Sequence, residues 1–190
     1  NLDDDDFFEA NRISRLLAAF QDGVSAVTSY DLFFSNHGPN RVWKKKRTIT
    51  FDDLLFRNRA GNAFLTKKNF LLAIGGFDAS LRAAQDHDIF VRLAQYHGMV
   101  RTVPEVLHNI DDEESNARIT TSFTKWIGYY DFYCKHKIQM NANQRGSNIY
   151  IILKARGKGS LKNLLRYAPI QFWPAELLGW FQRFLNPPAA

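Results

Sequence analysis

Four consecutive carboxylates, Asp3 to Asp6, stand near the start of the chain, with Leu2 before them and Phe7 and Phe8 after. Two like charges ~4 Å apart repel by on the order of 4 kcal/mol at an effective dielectric of about 20. Such a run either stays in water as a solvated surface or raises its pKa values or takes up a cation. The apolar flanks favour the second outcome, because they suggest a strand end whose neighbours are buried while the acids converge on an opening. Hard divalent cations prefer oxygen ligands, and Mg²⁺ or Mn²⁺ commonly joins one or two carboxylates to a substrate diphosphate. A second polar cluster lies downstream in Gly75-Gly76-Phe77-Asp78-Ala79-Ser80-Leu81 and Gln85-Asp86-His87-Asp88-Ile89-Phe90-Val91-Arg92-Leu93. Taken alone, Asp86 reads as the cap or opening residue of a helix.

Taken together and in this order, the two stretches resemble a family-2 glycosyltransferase of the GT-A type. The resemblance runs from Leu2 to about Thr121. In that family a strand ends in L-D-x-D-D, the DxD motif that holds a metal and the nucleotide-sugar. A G-G-F-D stretch follows, and then an (E/Q)-D-x-D-(L/I)-x-x-R-L helix start. The resemblance implies sugar transfer with inversion from a nucleotide-diphosphate donor to an acceptor hydroxyl. Asp5 and Asp3 match the metal-binding acids, Asp5 in direct contact and Asp3 toward the ribose or the metal's water shell. Asp86 matches the catalytic base. Gln85 stands where many relatives have Glu, which casts doubt on a second acid and not on the base. Asp4, Gln85, His108, Asp111 and Arg118 are further candidates for donor or acceptor binding. Asp6 is a candidate cap for the following helix.

The implied cofactor is Mn²⁺ or Mg²⁺. The implied partners are a nucleotide-sugar and a saccharide or lipid-linked acceptor. The setting is bacterial surface polysaccharide synthesis, such as O-antigen (lipopolysaccharide) or capsule, in the cytoplasm or at the inner face of its membrane. In the family pattern a nucleoside-gripping βαβαβ half precedes the DxD strand. The expectation is therefore the C-terminal part of a GT-A-like mixed α/β sheet flanked by helices over 1–116, with little transferase activity by itself. A helical C-terminal extension over 117–190 completes the expected fold. Two other classes compete: a binding or assembly module with a cation-binding acidic cluster, and a nucleotidyltransferase, which shares the diphosphate–metal logic.

The periodicity predicts a helix over Phe8 to Phe20 with Ile13, Leu16, Leu17 and Phe20 on one apolar face. Val24 to Ser35 reads as a strand. Arg41 to Thr48 reads as its returning partner, whose Lys44-Lys45-Lys46-Arg47 run is either an exposed edge guarded against aggregation or a phosphate or membrane contact. Thr50 and Asp53 form a capping-box pattern for a short helix. Thr66 is a candidate cap for a helix that Gly75-Gly76 ends. A helix over His87 to His97 carries Ile89, Leu93 and Tyr96 as its buried stripe. Met99 to Val103 and Glu105 to Ile110 read as two strands interrupted by Pro104. Helices fill the remainder, the last opened by Pro174 and striped by Leu177, Leu178, Phe181, Phe184 and Leu185.

The hydrophobic content of 45% and the 190-residue length fit a folded domain with a real core. Net charge is +6 but uneven: residues 1–114 hold 14 Lys+Arg and 17 Asp+Glu, whereas residues 115–190 hold 11 and 2. A basic tail suits nucleic acid, anionic lipid or a sugar diphosphate. No helix-turn-helix, zinc-finger or RNP pattern supports nucleic acid. The tail's Trp- and Phe-rich end points to an anionic membrane surface, or else to packing on the catalytic part with a homodimer contact. No apolar run is long enough for a membrane span, and the single Cys134 has no internal disulfide partner.

Overall fold

The computed structural model describes residues 6–34, 39–111 and 125–185. Contacts divide the chain into two compact units, the first ending at residue 122 and the second beginning at 123.

The first unit is built on a long parallel pair, β2 (Val24–Phe34) and β6 (Met99–Asp111). β1 (Phe7–Phe8) runs antiparallel to β6 on its other side, and β3 (Arg41–Trp43) antiparallel to β2. β4 (Thr48–Ile49) and β5 (Leu65–Thr66) add short antiparallel pairings to β6 and β2. The result is a six-stranded mixed sheet in the order β1-β6-β2-β3. With its flanking helices, and with helices following it, this is the GT-A-like mixed α/β arrangement that the motifs imply. β6 is one strand where two were expected. Pro104 is accommodated because the register slips there, from Ser29 opposite Val103 to Tyr30 opposite Val106, and a bulge is where a strand tolerates the missing N–H.

Helix α1 (Arg12–Ala18) is shorter than predicted, and its buried face is turned from the predicted one. Leu16 packs with Val24, Val27, Val103 and Leu107. Ile13 and Leu17 are exposed, and Arg12, one turn before Leu16, is buried instead. Its guanidinium is matched there, donating to Ser29 Oγ at 2.5 Å and Ala63 O at 3.2 Å and lying over the Phe8 ring. Asn11 stands at the helix's N-cap position, so Asp6 does not cap it.

Helix α2 (Phe51–Phe56) carries the Thr50–Asp53 capping box as predicted. Thr66 lies in β5 and donates its hydroxyl to Ser25 O, so it does not cap α3 (Lys68–Ala73). Gly75 and Gly76 follow with φ of 80° and 68°, the left-handed region that favours glycine. Helix α4 (Gln85–His97) buries Ile89, Phe90, Val91 and Leu93, on more than one face. It packs on β2, β6, α2 and α3, while Tyr96 is exposed and not part of the buried stripe.

The second unit contains α5 (Lys125–His136), α6 (Ala142–Ala155), α7 (Leu161–Tyr167), a 3₁₀ turn (Ile170–Phe172) and α8 (Trp173–Leu185). An Asn141–Gln144 capping box opens α6. Its core joins Tyr150, Leu164 and Ala168 with Trp173 and Leu177. Leu178 and Phe181 of the expected α8 stripe face solvent instead. Among the described residues no helix is long and apolar enough to cross a membrane.

Candidate active site

The acidic run leads into β1, whose Phe7 and Phe8 lie opposite Asn109 and His108. Asp6 therefore sits beside the carboxyl ends of β2 and β6, where Phe34 pairs with Asp111. In open α/β sheets that end is the usual place for a ligand. Asp3, Asp4 and Asp5 lie outside the described residues, as does Arg118. The structure does show what holds the run's last member. Asp6 is buried, with Oδ1 accepting from the Asp111 amide at 3.2 Å and Oδ2 lying 3.1 Å from His108 Nε2.

His108 links Asp6 to a second buried carboxylate, because its Nδ1 lies 3.3 Å from Asp31 Oδ1. Asp31 in turn contacts Lys45 Nζ through both oxygens, at 2.8 and 2.7 Å. All four side chains are withdrawn from water. Burial pulls the Lys45 ammonium down to about 8 from an ordinary 10.5, with Asp31 acting against that fall. The Arg12 guanidinium, also desolvated and also supported by Asp31, falls to about 10. Lys45 is thus neither the exposed edge residue nor the phosphate or membrane contact expected of the basic run. Its neighbour Lys46 does stay at the surface, paired with Asp53.

Asp86 approaches from the opposite side of the sequence. It lies in the first turn of α4. The residue at the N-cap position is Ala84, with no side-chain cap bond, so the simple cap reading of Asp86 does not hold. Ala84 has φ of 64°, the one positive φ outside glycine among the described residues. A left-handed alanine costs of order 1–3 kcal/mol, and such strain concentrates where a side chain must be aimed. Asp86 Oδ2 accepts from Asn58 Nδ2 at 2.9 Å. The same amide donates to Gly61 O, while Asn58 Oδ1 accepts from the Ala60 and Gly61 amides. Asn58 therefore shapes the 58–61 loop and holds Asp86 at once.

That loop returns to the buried charges. Thr28 Oγ1 donates to Ala60 O or Ala63 O and accepts from Lys45 Nζ. A Cβ on Gly61 would come within 2.8 Å of Lys45 Nζ and 3.3 Å of Asp31 Oδ2. An unbroken line of polar contacts thus runs Asp86, Asn58, Ala60, Thr28, Lys45, Asp31, His108, Asp6. It joins the two motifs, which lie 80 positions apart in the sequence. Around it, Arg92 ties α4 to the glycine turn, donating to Asp88, to Ile74 O and to Gly76 O. Asp78 fastens the turn by accepting from the amide and hydroxyl of Ser80. Gln85 donates to Leu81 O at 2.7 Å and so closes the segment leading into α4.

Residues 3–158 match the family model described as glycosyltransferase like family 2. The chain belongs to that family. It is also 30% identical over 166 residues, 83% of its length, to an Escherichia coli (strain K12) protein provisionally named as the colanic acid biosynthesis glycosyl transferase WcaA. The match covers 58% of that relative.

Thr28, Asp31, Asn58 and Ala60 of the line were not anticipated as parts of a site, and Lys45 only as a member of the basic run. Asp31 had a signal, the one charged residue of β2, set between Tyr30 and Leu32. Lys45 had none that separates it from Lys44, Lys46 and Arg47. Among the described residues no group of three or more His, Cys, Asp or Glu side chains is placed to hold a metal ion.

Proposed function

We propose that this chain forms the metal, base and acceptor side of an inverting glycosyltransferase, taking a sugar from a nucleoside-diphosphate donor. The observation that carries the reading is the polar line from Asp86 to Asp6, which ties the family's base position to the acidic run. In this reading residues 1–116 are the catalytic part and residues 117–190 an accessory one.

The Asp86 carboxylate receives the proton of the acceptor hydroxyl as that oxygen attacks the sugar's C1. Attack opposite the leaving diphosphate inverts the anomeric centre. Asn58 orients Asp86 by fixing one carboxylate oxygen, so positioning is set before substrate arrives. His108 and the Asp111 amide do the same for the acidic run through Asp6. With Asp6 already engaged, Asp3 and Asp5 are the carboxylates that would hold Mn²⁺ or Mg²⁺, a hard donor set that suits either ion. The ion would neutralise charge growing on the departing diphosphate. Asp4, Gln85 and Arg118 remain candidates for donor or acceptor contacts, Arg118 by charge-assisted bonds to a phosphate. The likeness to WcaA and to the family supports an acceptor in bacterial surface polysaccharide synthesis, and hence a cytoplasmic setting.

The test is sugar transfer by the whole protein, with product stereochemistry read by NMR. Asp86→Asn lowers kcat by roughly 10²–10⁴-fold, and the product's anomeric configuration is opposite to the donor's. An Asp86→Asn enzyme with unchanged kcat, or a retained configuration, overturns the proposal.

A further inference from the structure

Tyr130, Leu161 and Leu165 are exposed in the second unit, but another set of its exposed apolar residues forms a stripe. Ile170, Pro174, Leu178 and Phe181 follow one another at spacings of four, four and three along the 3₁₀ turn and α8, which puts them on one side of the helix. Ile170 is 73% exposed, Leu178 59% and Phe181 67%. The adjoining side of α8 carries Leu177, which with Trp173 closes the core on Tyr150 and Leu164. The stripe is therefore not the helix's packing face.

At its N-terminal end the stripe meets cationic side chains. Ile170 lines a cleft of about 720 Å³ between α6 and the end of α7, and Arg145 and Arg166 line the same cleft. Arg145 donates its Nε to Lys137 O, next to Ile138, which is 85% exposed. Two guanidiniums thus stand between two protruding isoleucines. Residues 125–185 hold ten Lys and Arg against Asp131 and Glu176 alone, and Glu176 is itself paired with Lys154.

We infer that the second unit docks on an anionic lipid bilayer. Ile170, Leu178 and Phe181 enter the headgroup boundary, and Arg145 and Arg166 take lipid phosphates. The chemistry selects this occupant. An apolar stripe alone suits any hydrophobic partner, but an apolar stripe running into a basic cleft on a strongly cationic unit matches an interfacial helix. Basic side chains near an anionic surface strengthen such a contact, whereas a second copy of this chain would bring like charge to it. The inference stands on the second unit and does not need the transferase reading.

The test is flotation of the whole chain with vesicles of equimolar phosphatidylglycerol and phosphatidylcholine, and with phosphatidylcholine alone. Binding to the anionic vesicles only, weakened by salt, is expected. L178D/F181D and, separately, R145Q/R166Q each reduce it by roughly tenfold or more. All four side chains are exposed, so a wild-type thermal melt by circular dichroism accompanies the loss. Equal binding to both vesicle types, or binding that neither double variant changes, overturns the inference. So does sedimentation showing a dimer that L178D/F181D dissolves, since a second copy would then cover the stripe.

Discussion

Replacing Lys45 by Met keeps most of the side-chain volume and removes its charge. In the native fold Lys45 Nζ contacts both oxygens of Asp31, with both side chains 1% exposed. The substitution leaves Asp31 buried, with the His108 contact at Oδ1 kept and the cation lost. Removing one partner of a buried pair typically costs 3–5 kcal/mol, because the other charge stays desolvated. That is a large part of the ~5–15 kcal/mol that holds a domain together. For a chain of this size each kcal/mol moves Tm by about 2–4 °C, so a fall of roughly 6–20 °C is expected. Asp31→Asn added to Lys45→Met removes the stranded charge and restores part of the loss. The double-mutant cycle then gives a coupling of roughly 1–3 kcal/mol. Urea titration of the four proteins measures it. If Lys45→Met costs under about 1 kcal/mol, the value of a surface pair, then Asp31 does not depend on Lys45 and the buried line is not what orders the site.

Other perturbations follow from the same geometry. Gly61→Ala forces a Cβ to within 2.8 Å of Lys45 Nζ at a φ of 95°, and should lower both stability and activity by pushing the 58–61 loop off the buried pair. Asn58→Ala should loosen the 58–61 loop and lower kcat more than it raises KM, since Asp86 loses its orienting amide. The Lys45 ammonium, at about 8 in the fold against 10.5 ordinarily, binds fewer protons folded than unfolded between those values, so its contribution to stability rises with pH through that window. NMR titration of the Lys45 Nζ should show the lowered midpoint, lost in the unfolded chain. Asp53 behaves in the same sense at the acid end of the range. Burial acts to raise its carboxyl, but the bonds from Lys46 and Thr50 outweigh it and hold the carboxyl below 3.8. The stability that Asp53 adds above that pH is lost as pH falls through the folded value.

The parts of the fold read most directly from sequence were those whose signals are local. The Thr50–Asp53 box, the Gly75-Gly76 stop and the β-branched run of β2 each depend on neighbours a few positions away. The misreadings came where distant residues decide. Arg12 displaced Ile13 and Leu17 from the buried face because Ser29, Ala63 and Phe8 offer a guanidinium three partners, and periodicity counts only apolar residues. Pro104 looked like a strand break because the bulge that absorbs it is defined by register with β2. The basic run held one buried lysine among its surface neighbours, a distinction that only Asp31's position makes. For the site, the motifs named Asp86 and the acidic run, while their connection through Asn58, Lys45 and His108 lies in tertiary contacts that no spacing encodes.

The most direct measurement follows the side-chain amide of Asn58 by NMR as Mn²⁺ is added. If Asp3 and Asp5 hold the ion close to Asp86, paramagnetic broadening strikes the Asn58 Nδ2 protons early, and Asp5→Ala removes it. Should Mn²⁺ bind through Asp5 while Asn58 stays sharp, the acidic run and Asp86 do not serve one reaction, and the transferase geometry drawn from them is wrong.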